Sequence, residues 1–179
     1  MSKISKNLKI TVILAMLSAI SIILGKYLAI RGGDVMRFSL ENMPIIFAGI
    51  AFGPVAGVLV GLVSDLIGCL MVGYEINPLV ALGASIIGLV SGIMPIFLKK
   101  AKLDRRIVIL ITVSAAHIVG SVIIKTIGLA SYYDMPFIVL LGWRVLNYII
   151  VGGLDGAVVY ALLKNKEIDS HIKSLGGEK

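Results

Sequence analysis

The chain has 179 residues, of which 58% are hydrophobic and 15% are charged, and its mean hydropathy is +1.02. A soluble domain carries about a quarter charged residues. A chain of this size also leaves about a third of its unfolded surface exposed after folding, so the apolar excess has no core large enough to hold it. The composition therefore excludes a soluble domain and predicts an integral membrane protein.

Cysteine, histidine and net charge exclude further classes. Cys69 is the single cysteine and the histidines are His117 and His171, so we expect neither an intramolecular disulfide nor a metal site. The net charge is +7, but aromatic residues make up only 7% of the chain, so the basic excess indicates membrane topology rather than nucleic-acid binding. No Gly-x-x-x-x-Gly-Lys-Ser/Thr loop is present, and we expect no cofactor.

Hydropathy divides the chain into spans, each of which needs about 20 mostly apolar residues. The long apolar block 43–98 is interrupted by Gly53-Pro54 and by the stretch 73–78, because proline disfavours helix at the preceding residue and begins a new helix well. We predict one all-α transmembrane domain, residues 1–179, with six membrane-spanning helices at 8–30, 43–52, 54–72, 78–98, 107–130 and 136–163.

Lysines and arginines predict the orientation, since they concentrate in cytoplasmic segments. They are frequent in the N-terminal segment, in the stretch 99–106 and after residue 163, whereas the other side has only Lys26, Arg31 and Arg37. Both termini are therefore predicted to be cytoplasmic. Small residues recur every four positions in 49–61 and 84–92, which predicts closely packed helices.

Ionisable residues inside spans predict a binding site or buried ion pairs, because each costs roughly 2.5–3.5 kcal/mol on insertion scales. One interpretation is a pocket that opens outward and binds an anionic, aromatic small molecule through Lys125 and Arg144, with Asp65 nearby. The other is structural pairing of Asp65 with Lys125 and of Asp155 with Arg144. The residues form two polar stripes, Ser114, His117, Ser121 and Lys125 on the fifth span and Arg144, Asn147 and Asp155 on the sixth.

Several motifs together resemble the substrate-binding S components of energy-coupling factor (ECF) vitamin transporters. The segment 37–68 contains an arginine followed by Pro-Ile, Phe-Gly-Pro, Gly-x-x-x-Gly and Asp-x-x-Gly. Asn77-Pro78, Arg144 early in the last span and Ala15-x-x-x-Ala19 in the first also match, so the similarity covers nearly the whole chain.

The resemblance implies a non-enzymatic subunit in the cell membrane that binds a vitamin from outside with high affinity. Transport would require a transmembrane coupling protein, contacted through Ala15 and Ala19, and two cytoplasmic ATPase subunits. The region from Arg37 to Pro44 and the region of Arg144 are most similar to those of the folate-specific members. Pantothenate, hydroxymethylpyrimidine and a queuosine precursor stay open as substrates.

A folate site would use cations for the glutamate carboxylates and polar groups for the pterin. Lys125 and Arg144 are predicted to bind the carboxylates, and Asp65 or Asn77 to bond the pterin amino and ring N–H groups. The full set of predicted substrate-binding residues is Arg37, Asp65, Asn77, Lys125, Tyr133, Trp143, Arg144 and Asn147. Two other classes are considered: a membrane enzyme centred on Asp65, His117 and Asp155, and a structural membrane partner.

Overall fold

The computed structural model describes residues 3–32, 36–133 and 135–175. Two π-helical segments interrupt the α-helices of this part of the chain: Ile23–Tyr27 continues α1, and His117–Ile124 joins α5 to α6. A short 3-10 turn, Lys99–Ala101, follows α4. The α-helices, in chain order, are α1 (Lys3–Ile22), α2 (Asn42–Phe52), α3 (Pro54–Met71), α4 (Pro78–Leu98), α5 (Arg105–Ala116), α6 (Lys125–Tyr133), α7 (Phe137–Lys164) and α8 (Lys166–Leu175).

Five helical segments of the described chain are long and apolar enough to cross a membrane. They are Asn7–Tyr27, Pro54–Met71, Pro78–Ala101, Arg105–Tyr132 and Phe137–Lys164. Helix α2 is apolar but has only 11 residues, which reach about 16 Å at 1.5 Å per residue against a hydrocarbon core of about 30 Å. The helical membrane class is confirmed, whereas the count of six spans is not, because α2 is a short helix enclosed by its neighbours.

Helices α2, α3 and α4 pack against one another through small residues. A Cβ atom added to Gly57 would overlap main-chain atoms of Gly88, and one added to Gly61 would overlap the carbonyl group of Ala84. Gly53 has φ +95°, which ends α2 and lets the chain turn into α3. The predicted close approach of helices with small residues every four positions is therefore confirmed.

A short antiparallel hairpin, which the sequence analysis did not predict, connects α1 to α2. Strand β1 (Ile30–Gly32) pairs with β2 (Met36–Phe38), with Arg31 opposite Arg37. The Asn147 side chain of α7 donates from Nδ2 to the carbonyl oxygen of Arg37 at 2.9 Å. This bond holds β2 against the last long helix.

Both ends of the described chain lie at the same end of the helix bundle. Helix α8, also absent from the prediction, contacts α1 and α7 and buries Ile172 and Leu175. Arg105 at the start of α5 pairs with Asp169 of α8 at 2.8 Å. The hairpin and the linker 72–77 between α3 and α4 occupy the opposite end.

Candidate functional site

A cavity of about 440 Å³ lies at the end of the bundle that carries the hairpin. This volume is within the range of about 300–1,000 Å³ that is typical of small-molecule sites. Five of the eight predicted site residues line it: Arg37, Asp65, Asn77, Lys125 and Arg144. The other polar and titratable side chains that line it are Lys26, Ser39, Glu41, Cys69, Tyr74, Glu75, Tyr132 and Tyr148.

Glu41 holds two of the cavity cations. Its Oε2 accepts from Arg37 Nη2 at 2.8 Å, and its Oε1 accepts from Lys125 Nζ at 3.4 Å. Burial raises the pKa of Glu41, but Arg37, Lys125 and Lys26 outweigh burial and hold this pKa well below its ordinary range. The suggested structural pair of Asp65 with Lys125 is therefore wrong, because the lysine forms its ion pair with Glu41.

Asp65 keeps an unused acceptor at the cavity. It projects from α3 and lines the cavity, and its Oδ2 atom is buried with no hydrogen-bond partner among the described residues. A buried polar atom without a partner costs about 1–3 kcal/mol. A ligand with N–H donors would supply the missing partner.

Arg144 is anchored to main chain rather than to a carboxylate. Its Nε and Nη2 donate to the carbonyl oxygen of Ser121 at 3.1 and 2.7 Å, and its guanidinium carbon lies 5.3 Å from the centre of the Tyr148 ring. Asp155 instead pairs with His117, Oδ2 to Nε2, at 2.9 Å. The suggested pair of Asp155 with Arg144 is therefore wrong, and the charge of Arg144 has no carboxylate partner within the described residues.

The other predicted residues have different surroundings. Asn77 caps α4, because its Oδ1 accepts from the N–H groups of Leu79 and Val80 while its Nδ2 donates to Gly128. Its amide is thus already engaged. Two further residues do not line the cavity: Trp143, which is 45% exposed on α7, and Asn147, which holds the hairpin. The Tyr133 side chain lies outside the part that the structure describes.

Among the lining residues that the sequence does not predict, three are charged or aromatic side chains beside the predicted ones: Lys26, Glu41 and Tyr148. Lys26 was assigned to topology, but its Nζ lies 3.6 Å from Cys69 Sγ and 5.7 Å from the Tyr74 ring centre. Glu41 was detectable as the carboxylate four residues after Arg37, and Tyr148 as the aromatic residue one helical turn after Arg144.

The charges of the cavity suit a ligand with both anionic and donor groups. The cavity is lined by four cationic side chains, those of Lys26, Arg37, Lys125 and Arg144. It is also lined by three carboxylates, those of Glu41, Asp65 and Glu75. Glu41 offsets Arg37 and Lys125, and Glu75 accepts from the Tyr132 hydroxyl at 2.9 Å. Arg144 is therefore available for an anion and Asp65 for a donor.

The predicted docking residues lie on the outer face of α1. Ala15 and Ala19 are both exposed. Their neighbours Val12 and Met16 are 52% and 60% exposed, so this face is apolar and is not covered by other parts of the described chain. A face of this kind suits contact with lipid or with another membrane helix.

Comparison with known proteins defines the family. The family model for the substrate-specific component of ECF transporters matches residues 9–163, while no curated protein sequence is significantly similar to the chain. FolT bound with folic acid superposes with a TM-score of 0.67 at 16% identity, over 84% of this chain and 88% of that chain. The S-component for biotin from an ECF-type ABC transporter gives 0.67 at 20% identity, over 92% and 95%.

The structure of the S component of a bacterial ECF transporter gives a TM-score of 0.62 at 22% identity, over 89% of this chain and 99% of that chain. At these identities the likeness to solved structures concerns the fold, whereas the family model covers most of the sequence. The chain therefore belongs to the substrate-specific S components of ECF transporters, which are substrate-binding transport subunits rather than enzymes.

Proposed function

We propose that this chain is the high-affinity folate-binding subunit of an ECF-type uptake transporter. The observation that carries the proposal is that one cavity holds both Arg144, which has no carboxylate partner among the described residues, and an Asp65 oxygen that has no donor among them. Folate combines two glutamate carboxylates with a pterin that presents amino and ring N–H donors. FolT, whose structure contains folic acid, shares the fold.

In this proposal each end of folate meets a different group. Arg144 binds a carboxylate, because its guanidinium keeps N–H groups beyond the two bonds to Ser121. Lys125 adds a second donor, since an ammonium has three N–H groups and one of them bonds Glu41, the single acceptor that the described residues supply. Asp65 accepts from the pterin.

The proposed orientation places the cavity outside and both termini in the cytoplasm. Two observations support it: the termini lie at the end of the bundle opposite the cavity, and that end carries the basic stretch 99–106. The proposed partners are a transmembrane coupling protein, which packs on Ala15 and Ala19, and two cytoplasmic ATPase subunits. Small exposed residues on α1 allow a partner helix to approach closely.

Identification of the copurifying ligand is the first experiment. Detergent-solubilised protein is denatured and the released small molecules are identified by mass spectrometry, followed by calorimetric titration with folic acid. We expect stoichiometric folate. Pantothenate, hydroxymethylpyrimidine or a queuosine precursor would retain the transport class and replace the substrate. No ligand, and no binding across a vitamin panel, would contradict the proposal.

Substitution of Arg144 tests which end of folate it binds. Arg144→Ala should weaken folic acid binding by at least about thirtyfold, because it removes the proposed charge-assisted bond from this part-buried guanidinium to a glutamate carboxylate. Binding of 6-hydroxymethylpterin, which has no carboxylate, should change little. Trp143→Ala is the matched control, since its side chain does not line the cavity. Equal losses for both ligands would show that Arg144 does not bind the glutamate.

A further inference from the structure

We propose that His117, Asp155 and the π-helical turn that they hold form a positioning unit for Arg144 and thereby determine ligand affinity from outside the cavity. Neither residue lines the cavity. The inference deepens the proposed function, and rests on it where the ligand is named as folate.

The π-helical register diverts a helical hydrogen bond away from Ser121. In an α-helix the N–H of Lys125 would donate to the carbonyl oxygen four residues earlier, on Ser121. In this turn it donates to Gly120 instead, and the Ser121 oxygen accepts from both Nε and Nη2 of Arg144. The π turn thus presents a main-chain acceptor to the cavity arginine.

The first π-helical segment also contacts a cavity arginine, although there the bound carbonyl group belongs to the last turn of the helix. The N–H of Leu28 donates to Ile23, five residues earlier, at 3.0 Å. Within this segment the carbonyl oxygen of Gly25 accepts from Nη2 of Arg37. π-helical turns are rare and occur frequently at functional sites, and each of these two segments offers a main-chain acceptor to the guanidinium group of a cavity arginine.

His117 connects the π turn to α7. Its Nε2 lies 2.9 Å from Asp155 Oδ2, and its Nδ1 lies 3.3 Å from the Ser121 hydroxyl, one turn along the π segment. When Nε2–H donates to the carboxylate, Nδ1 is the acceptor for the serine hydroxyl. His117, Ser121 and Asp155 are 3%, 0% and 0% exposed, so this chain of bonds is enclosed by protein.

Helix α7 therefore contacts the π turn at two places along its length. Asp155 of α7 contacts His117, and Arg144 of α7 contacts Ser121. Between them the Tyr148 ring lies 4.9 Å from the His117 ring and beneath the Arg144 guanidinium. Loss of His117 would release both the serine and the tyrosine that hold Arg144.

A packing role alone accounts poorly for this pair. Asp155 Oδ1 is buried without a partner among the described residues, and apolar residues of similar volume often replace a buried ion pair without loss of stability. Carboxylate and imidazole are needed where a directed bond must hold a neighbour in place.

The test measures coupling between His117 and Arg144. His117→Leu should weaken folic acid binding about tenfold, within the range for residues that share a hydrogen-bond network. In an Arg144→Ala background the same change should alter affinity by less than about twofold, because the group being positioned is gone. Thr112→Val is the matched control, since the Thr112 hydroxyl is buried on α5 and has no hydrogen-bond partner within the part of the chain that the structure describes.

Conservative variants keep the test usable if His117→Leu does not fold. Asp155→Asn retains an acceptor for Nε2–H and should keep most of the affinity, whereas Asp155→Leu should reproduce the loss. Equal losses in the wild-type and Arg144→Ala backgrounds would overturn the proposal, because they would indicate general destabilisation.

A ligand-free measurement separates this inference from the choice of folate. The Nε–H resonance of Arg144 is assigned in nitrogen-15 spectra as the signal that Arg144→Ala removes. His117→Leu or Asp155→Leu should shift it, and Thr112→Val should not. If folic acid does not bind the wild-type protein, the proposed function fails while this result still decides the positioning unit. If the Arg144 resonance does not shift in His117→Leu or in Asp155→Leu, the proposal that these residues position Arg144 is overturned.

Discussion

Glu41 shows how one residue determines the charge arrangement of the cavity. It accepts from Arg37 and Lys125 together, and so leaves Arg144 as the cavity arginine without a carboxylate partner among the described residues. The sequence predicts Arg37, Lys125 and Arg144 as binding residues, and the alternative that it offered, a pair of Lys125 with Asp65, is not the pair that forms. The spacing of residues predicts which side chains share one face of a helix. It does not predict which distant segment supplies the opposite charge.

Glu41→Gln should destabilise the protein, because it leaves Arg37 and Lys125 without their shared carboxylate. We expect a loss of about 2 kcal/mol, as for a hydrogen bond to a charged group, visible as a lower melting temperature in detergent. Glu75→Gln is the matched control, since Glu75 bonds Tyr132 at an exposed site and should change the melting temperature little. Equal melting temperatures for both variants would argue against a central role for Glu41.

Acid should weaken the fold through the same carboxylate. The pKa of Glu41 is lowered in the folded protein from its ordinary value of 4.5, so its contribution to stability is full above that value and is lost as pH falls through the folded pKa. The melting temperature should fall below about pH 4.5 in the wild type and less steeply in Glu41→Gln. Parallel pH profiles would contradict this assignment.

At the scale of elements, the contact between α3 and α4 depends on the absence of side chains. Gly88→Ala should destabilise the protein by about 1–3 kcal/mol, the usual cost of overpacking, because its Cβ would overlap main-chain atoms of Gly57. Gly142→Ala on α7 has nothing within 4 Å of its added Cβ and serves as the control. Thermal unfolding in detergent distinguishes them, and a neutral Gly88→Ala would refute the close contact.

Helix positions were predicted well, and the interruptions within them were not. The predicted spans 54–72 and 78–98 agree with α3 and α4 to within one residue. Both helices begin with proline, and a glycine precedes α3, which are local signals. Within the π-helical turns, carbonyl oxygens of Gly25 and Ser121 accept from Arg37 and Arg144, which come from elsewhere in the chain. No pattern of neighbouring residues in the sequence predicts such a contact.

At the scale of the whole molecule, docking and binding should be separable functions. Ala15→Trp should abolish uptake of labelled folic acid in cells that contain the coupling protein and ATPase subunits, because a bulky side chain blocks helix approach. Folic acid binding in detergent should persist, since Ala15 is exposed on α1 and does not line the cavity.

Leu146→Trp is the matched control for the docking surface. Leu146 is 59% exposed on α7, and the substitution should leave both uptake and binding intact. Uptake that survives Ala15→Trp would show that the coupling protein binds elsewhere.

The membrane class, the long spans, the family and five of the residues that line the cavity can all be predicted from the amino-acid sequence. These properties follow from hydropathy, proline and glycine positions and motif spacing, all of which act over short stretches of chain. The ion pairs, the enclosed position of α2 and the contacts that connect His117 with Arg144 arise only when the helices pack together. The physical reason is that a buried charge takes its partner from whichever distant segment packs beside it, as Lys125 of α6 takes Glu41, which precedes α2 and lies 84 residues earlier.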